Sequence, residues 1–407
     1  MKRALVIGAG LSGLACARRL HENGLSVEIV DAADEVGGRV RTDVAEGFLF
    51  DRGFQVFLPS YPVAGERFRD LQFHPFSPGA FVRLKGRFHL VSDPFRDLFG
   101  GIATAFAPIG SLKDKLLVAA LRRHSLRPRE DLSGVSSREF LEQFGFTSQM
   151  IDCFFRPFFG GVFLEKALET NAEKLLFVFR HFARGSGALP TGGIVQLPRQ
   201  LAKGLPAIRL NTRVRALESS SVRLENGDKL EADEIVLATD QAQTCHLLGD
   251  TSQINSNAVT CLYFSAPASP LKRKCIVING EGNEDGPINN LAVVSDIAPD
   301  YAPEGSALIS ISILGAHDPS ALISPVSLQL AKWFGEAAKS WQYLRGYRID
   351  EALPAQSAGK GAISTDLPDK VTLAGDWLAN ASIEGAIVSG ESAADKILDK
   401  GKSEQPA

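Results

Sequence analysis

Gly8-Ala9-Gly10-Leu11-Ser12-Gly13 is the arrangement in this chain with the plainest chemical consequence. Gly8 permits a tight turn, Gly10 lets the backbone approach a pyrophosphate, and Gly13 lets the following helix pack closely on a strand. Leu11 and Ser12 then stand at the start of that helix, where free N–H groups and the positive dipole end meet phosphate. Asp31, 18 residues after Gly13, is placed to accept the hydroxyls of a ribose. The implied chemistry is the binding of a dinucleotide.

Those residues need a strand to deliver the turn and a helix to receive the phosphates. Lys2 to Ile7 reads as a short buried strand that runs into Gly8 without a gap. Leu11, Leu14, Ala15, Ala17 and Leu20 give an apolar helical face, stopped at Asn23-Gly24. Ser26 to Val30 makes a second strand with Asp31 at its end. This strand, glycine turn, helix, strand and acid order distinguishes a dinucleotide site from a glycine-rich loop that binds nothing. The expected fold class is α/β: a Rossmann-type doubly wound parallel sheet with an interleaved α+β domain.

A second glycine motif, Gly37-Gly38-Arg39-Val40-Arg41-Thr42, follows the second strand. Gly38 permits close approach, and the Arg39 guanidinium is suited to a second face of the pyrophosphate. Together with Gly8 to Gly13 and Asp31, this stretch resembles the FAD-binding signature of the flavin amine oxidase and phytoene desaturase superfamily. The far end agrees. Ala374-Gly375-Asp376 follows a strand (Lys370 to Leu373), and Ser382-Ile383-Glu384-Gly385-Ala386 opens a helix running to about Leu398.

The resemblance implies non-covalently bound FAD. It places Gly375 and Asp376 at the ribityl–phosphate region, and Ile383 and the start of the last helix under the flavin's pyrimidine edge. It lays Asp51 to Gln55, with Gly53, Phe54 and Gln55, along the isoalloxazine ring, and sets the backbone of Val214 against the adenine side. Pro190-Thr191-Gly192-Gly193 with Leu197 to Leu201 is a further family pattern, starting the helix that re-enters the cofactor domain. The likeness covers both ends and the middle, and is weakest in 81–180 and 246–340. Ile383, Ala386, Ile387, Ala394 and Ile397 form one apolar stripe on the last helix. Its positive end suits negative charge on a reduced flavin. Glu384 is either catalytically relevant or an acid favoured in a helix first turn.

On this reading the cofactor domain is discontinuous: 1–80, 190–245 and 345–407, with 81–189 and 246–344 forming a substrate domain. Residues 99–185 look mainly helical, 256–315 β-rich, and 325–340 helical.

Bulk properties exclude several function classes. Net charge is −3, so no global field draws the chain to nucleic acid. Five cysteines without a CxxC, and seven histidines without a ligand spacing, argue for a reducing compartment and against a metal site. The opening Met-Lys-Arg and apolar run breaks at Gly8, so it is read as a strand and not as a signal peptide. The apolar stretch from Phe99 to Leu112 contains glycine and proline and is too short to span a bilayer. The expected location is the cytoplasm, with peripheral membrane contact open: Arg122, Arg123, His124, Arg127 and Arg129 are a solvated helix end or a patch facing acidic lipid.

For the substrate, the informative stretch is Cys153 to Leu164, with phenylalanines at 154, 155, 158, 159 and 163. Each is either core or the lining of an apolar tunnel; Phe159 is the candidate substrate contact. Arg156, inside this run, is either structurally paired or binds a polar end of the substrate. Trp377 is the third candidate contact. Amine oxidases of the superfamily place an aromatic before the closing Glu-Gly-Ala, where this chain has Ser382, and no cysteine follows Cys275 to offer a covalent flavin link. Arg52 to Leu58 and Ser60-Tyr61-Pro62 are similar to desaturases of carotenoid and squalene type, with Phe54-Gln55 in place of the histidine-containing pattern. The expected reaction is hydride transfer from C–H (or C–N) to flavin N5, with no side chain assigned as catalytic. Three functions stay open: a desaturase or isomerase of an apolar polyene, an amine or small-molecule oxidase, and a non-catalytic FAD binder. The electron acceptor (oxygen, a quinone or another) is left open.

Overall fold

The computed structural model describes residues 2–92, 107–127, 131–218, 221–251, 255–359 and 367–403. A parallel sheet of five strands carries the glycine turn. Its order is Val371–Leu373, Glu234–Leu237, Arg3–Ile7, Ser26–Val30, Ile208–Arg209. Arg3–Ile7 is central, pairing in parallel with both Glu234–Leu237 and Ser26–Val30, so Ile7 sits level with Leu237 and Val30. The glycine turn therefore leaves the sheet where neighbouring strands also end, the position at which doubly wound sheets bind ligands.

Alternating residues of the central strand feed two cores, as a period of two dictates. Ala4 and Val6 pack under helix Leu11–Glu22 and the closing helix Ile383–Ser403. Leu5 and Ile7 pack against an antiparallel meander, Val214–Leu217, Ser221–Leu224 and Lys229–Glu231. The third of these strands is three residues long and has no readable alternation. The two helices cross very closely: a Cβ on Gly390 would lie 2.1 Å from the Ser12 carbonyl oxygen.

A second sheet of seven strands runs in the order Gln342–Pro354, Ser256–Ala266, Ala307–Leu314, Asn290–Val293, Ile276–Asn279, Ala80–Leu84, Arg87–Val91. It is antiparallel except for Ile276–Asn279 against Ala80–Leu84. The expected domain boundary at 345 falls inside Gln342–Pro354, which pairs with Ser256–Ala266 of this sheet. Helix Pro319–Phe334 covers one face.

A helical layer completes the molecule: Leu112–Ser125, Ser137–Phe144, Arg156–Phe163 and Ala172–Arg184. Local chemistry sets the starts. Ser111 with Asp114, and Ser136 with Glu139, form capping boxes, and Asn171 caps the last of the four. Arg156–Phe163 continues directly from a π turn at Ile151–Phe155. Parts of the apolar 99–112 stretch, Arg129, Ser219, Ser220 and the end of the tail lie outside the described residues. Among the described residues no helix is long and apolar enough to cross a membrane.

Candidate functional site

One cavity of about 1450 Å³ joins the two halves. At one end lie Gly8, Gly10, Leu11 and Ser12 of the glycine turn, with Asp31, Gly38, Arg39 and Val214. The three glycines divide as their chemistry requires. Gly8 has φ +108°, and a Cβ there would stand 2.6 Å from the Ala238 carbonyl oxygen. A Cβ on Gly13 would fall 1.9 Å from the Gly8 carbonyl oxygen, so Gly13 is a packing residue and is absent from the cavity wall. A Cβ on Gly10 would meet nothing within 4 Å, because that side of the turn is open space. No side chain caps the helix that begins at Leu11, so its first-turn N–H groups are left for an anion.

Asp31 accepts a hydrogen bond from Ala9 N–H (2.5 Å) on one carboxylate oxygen and from Ala33 N–H (2.7 Å) on the other. Each oxygen keeps a further lone pair, so the carboxylate fixes the turn and still has acceptor capacity for a ribose. Arg39 donates to Asp376 (2.7 Å) and to the Ala352 carbonyl (3.1 Å), tying the second glycine motif to the closing segment. Gly53, at φ +91°, and Phe54 and Gln55 continue the wall; Gln55 donates to the carbonyls of Arg39 and Arg52.

Gly375, Asp376, Ser382 and Ile383 close that end of the cavity, with Ala386 on the next turn. Glu384 is buried and turned away from chemistry: its two oxygens accept the Val63 and Ala64 N–H groups, anchoring helix Pro62–Arg67 on the closing helix. Trp377 does not line the cavity; its indole lies over Gly375, where a Cβ would be 2.2 Å from Nε1. The sequence signal missed Lys174, which does line the wall. It is 5% exposed, donates to the Asn380 side chain and to the Ala381 carbonyl (2.5 Å), and burial pushes its ammonium down to about 7, partly offset by Asp376. Its position on the Val178 and His181 stripe of an amphipathic helix was the available hint: a lysine where the apolar face belongs.

Beyond Gly53, Phe54 and Gln55 the cavity becomes apolar. Phe154, Phe158, Phe159, Phe179 and Phe182 come from the helical layer, and Val259, Ile276, Ile278 and Ile349 from the seven-stranded sheet. The phenylalanine run is thus split, since Phe155 and Phe163 are fully buried in the helical core and absent from the wall. Arg156 is also absent from this wall. It donates to the Asp152 carbonyl (3.0 Å), lies 3.8 Å from the Asp152 carboxylate, and borders a separate cavity of about 370 Å³. Of the three candidate substrate contacts, the structure brings Phe159 to the main cavity and keeps Arg156 and Trp377 from it.

The model of the family described as flavin containing amine oxidoreductase matches residues 11–398. The chain belongs to that family. That family is one of flavin-containing oxidoreductases. It is 28% identical over 166 residues to the mitochondrial protoporphyrinogen oxidase of Nicotiana tabacum, covering 39% of this chain and 32% of that protein. It is 44% identical over 71 residues to a neurosporene-forming phytoene desaturase of Rhodobacter capsulatus, covering 17% and 13%. These matches span a third or less of the relatives' own length. Among solved structures, an oxidoreductase from Methanosarcina mazei aligns with TM-score 0.75 and 18% identity over 97% of this chain and 100% of that one. A putative protoporphyrinogen oxidase from Exiguobacterium aligns with TM-score 0.74 and 18% identity, over 98% and 99%. At such identity these two likenesses speak to the fold.

The chain's own residues fit the family's cofactor. The open side of Gly10, the uncapped helix start, the acceptors of Asp31 and the guanidinium of Arg39 lie along one wall. Gly53, Phe54 and Gln55 continue it toward the apolar part.

Proposed function

We propose that this flavoenzyme takes a hydride from an apolar, isoprenoid-like polyene, as a desaturase or, where the hydride returns to the substrate, as an isomerase. The observation that carries the reading is the continuity of the cofactor wall with a phenylalanine-lined chamber. Bound FAD supplies a two-electron acceptor for a hydride leaving a substrate C–H bond. The residues named above as the cofactor wall would hold it: Gly10, Leu11 and Ser12 for the pyrophosphate, Asp31 for the ribose, Val214 on the adenine side. Phe154, Phe158 and Phe159 bury the substrate, exclude water and orient it, and such positioning carries much of a rate when few side chains take part. The five-stranded half holds the cofactor, and the seven-stranded sheet with the helical layer holds the substrate. None of the five cysteines lines the described wall, so no thioether donor stands beside the cofactor.

An amine substrate fits the described wall less well. Its carboxylates are Asp31, Asp240 and Asp376, each within a few residues of the end of a strand of the five-stranded sheet. An ammonium group in the phenylalanine chamber would lack a counter-ion there, at a large desolvation cost. The relatives' names give the test its arms. The FAD-loaded protein is mixed anaerobically with phytoene in micelles, with protoporphyrinogen and with putrescine, and flavin absorbance is followed. Bleaching by phytoene is expected. Bleaching by putrescine or protoporphyrinogen, with phytoene inert, sinks the isoprenoid reading.

Access fits a lipid-borne substrate. Leu112 and Leu116 line the cavity and are each 75% exposed, so the chamber opens beside them. We place the mouth at helix Leu112–Ser125. The same helix carries the exposed cations Lys113 and Arg123, and we read this face as one that rests on an anionic lipid surface.

A further inference from the structure

Lys174 is the buried charge that the proposed chemistry leaves unused. It stands in the first turn of Ala172–Arg184, where the Asn171 side chain accepts its backbone N–H (2.9 Å). Its side chain leaves the helical layer and ends under the loop that opens the closing helix, donating to Asn380 and to the Ala381 carbonyl. Gln356 holds the same loop from the other side: it donates to the Ala379 carbonyl and accepts from Ala381 N–H (2.9 Å). Two hydrogen bonds from neutral groups would suffice to hold a turn of this kind. A full ammonium, stripped of water, costs far more unless its charge is used.

The surroundings offer little to neutralise that charge. Asp376 is the carboxylate that acts on Lys174, and it is already paired with Arg39. Glu384, in the first turn of the closing helix, is bound to Val63 and Ala64 N–H groups. Tyr61, stacked on Phe177, is a neutral phenol held that way by burial, and His181 is bonded to Ser60. The Lys174 ammonium also lies 5.9 Å from the Phe177 ring centroid. It borders the same cavity as Ser382 and Ile383, the N-terminal end of the closing helix.

We infer that Lys174 is a positioning residue of the cofactor site, whose ammonium adds to the positive end of the closing helix and makes bound FAD easier to reduce. This rests on the FAD reading, and on the closing helix meeting the ring end of the cofactor. The helix end contributes a fixed partial charge, whereas a lysine contributes a whole one that titrates. Because burial brings Lys174 down to about 7, the added charge is present below neutral pH and lost above it.

The test compares midpoint potentials of FAD in the wild-type holoprotein, Lys174→Met and Lys174→Arg, by spectroelectrochemistry at pH 6 and pH 9. At pH 6, Lys174→Met is expected to shift the reduced-to-oxidised ratio at fixed potential at least about tenfold toward oxidised, which is roughly 30 mV for a two-electron couple. At pH 9 the wild type and Lys174→Met should converge, while Lys174→Arg keeps the more positive potential. Equal potentials for wild type and Lys174→Met at pH 6 overturn the inference, even if FAD content falls, since a purely structural lysine changes retention and not potential. If Lys174→Met does not fold, Lys174→Arg decides: a potential equal to wild type at pH 9 overturns it. Failure of the FAD reading itself is seen separately, as wild-type protein that takes up no flavin.

Discussion

Gly10 and Gly13 stand three residues apart in one turn and meet opposite surroundings. The backbone at Gly10 is extended (φ −73°, ψ 178°), a conformation open to any residue, and its missing side chain faces the cavity. Gly13 has no such space, with the Gly8 carbonyl 1.9 Å from where a Cβ would sit. Alanine at each position therefore separates binding from folding. Gly13→Ala forces the helix off the strand and is expected to cost about 3 kcal/mol of stability. Gly10→Ala is expected to cost about 1 kcal/mol or less, as a change at a helix N-cap. Its methyl group would enter the proposed pyrophosphate cradle, and FAD affinity should then fall at least about tenfold, or roughly 1.4 kcal/mol. Thermal unfolding of both apoproteins, with flavin titration of the folded one, checks the pair. A Gly10→Ala protein that binds FAD like the wild type would remove the cradle assignment.

Among the elements, the hairpin Thr42–Ala45 and Phe48–Asp51 shows how distant segments are locked around the loop that carries Gly53, Phe54 and Gln55. The buried Asp51 carboxylate accepts from Thr42 Oγ1 (2.6 Å), Ile194 N–H (3.0 Å) and Tyr301 O–H (2.9 Å), and Tyr263 O–H donates to its carbonyl (2.8 Å). Burial raises the carboxyl to about 6 despite those donors. A folded value above the unfolded one means the fold holds the proton more tightly than the open chain does. The stabilisation is full below about pH 4, where both states are protonated, and is lost as pH rises through about 6. Asp51→Asn should remove this loss. Relative to wild type it should gain stability between pH 4 and pH 7, on the order of 2 kcal/mol by urea denaturation. A difference that stays constant with pH argues that Asp51 is ionised or protonated throughout.

This knot also marks where sequence reading stops. The glycine turn, its helix and the closing helix were readable because each is specified by neighbours a few residues away: a strand running into glycine, an apolar stripe, an acid at a strand end. Asp51 is expected along the flavin ring with Gly53 to Gln55, but it is buried and absent from the cavity wall, and its partners at 42, 194 and 301 are joined by no local spacing. Glu384 looked like a first-turn acid with a possible chemical role, and its partners at 63 and 64 come from a helix over 300 residues away. The phenylalanine run gave hydrophobicity without direction. Helical geometry sends Phe154 and Phe158 to the cavity wall and Phe155 and Phe163 into the core, with Phe159 belonging to that core and bordering the cavity, a distinction that needs the helix's neighbours.

Across the whole molecule, a chamber between two sheets and a helical layer must admit its substrate, and the apolar polyene proposed above would not cross water freely. Leu112, Leu116 and Ala119 recur at i, i+4 and i+7 on an exposed helix face, and all three border the chamber. Burying two leucines in acyl chains supplies about 3 to 6 kcal/mol at most. Lys113 and Arg123 add about 1 kcal/mol each near an anionic surface. On the reading proposed above, docking is reversible, with the mouth held against the lipid. Leu112→Asp with Leu116→Asp should leave stability within about 0.5 kcal/mol, because both side chains already face solvent. The same pair should abolish sedimentation with phosphatidylglycerol-containing vesicles and leave the turnover of a short, water-soluble substrate unchanged. High salt should weaken wild-type docking without ending it, since the apolar contribution is not screened. Wild-type protein that stays in the supernatant at low salt, or a double variant that sediments equally well, places the entrance elsewhere.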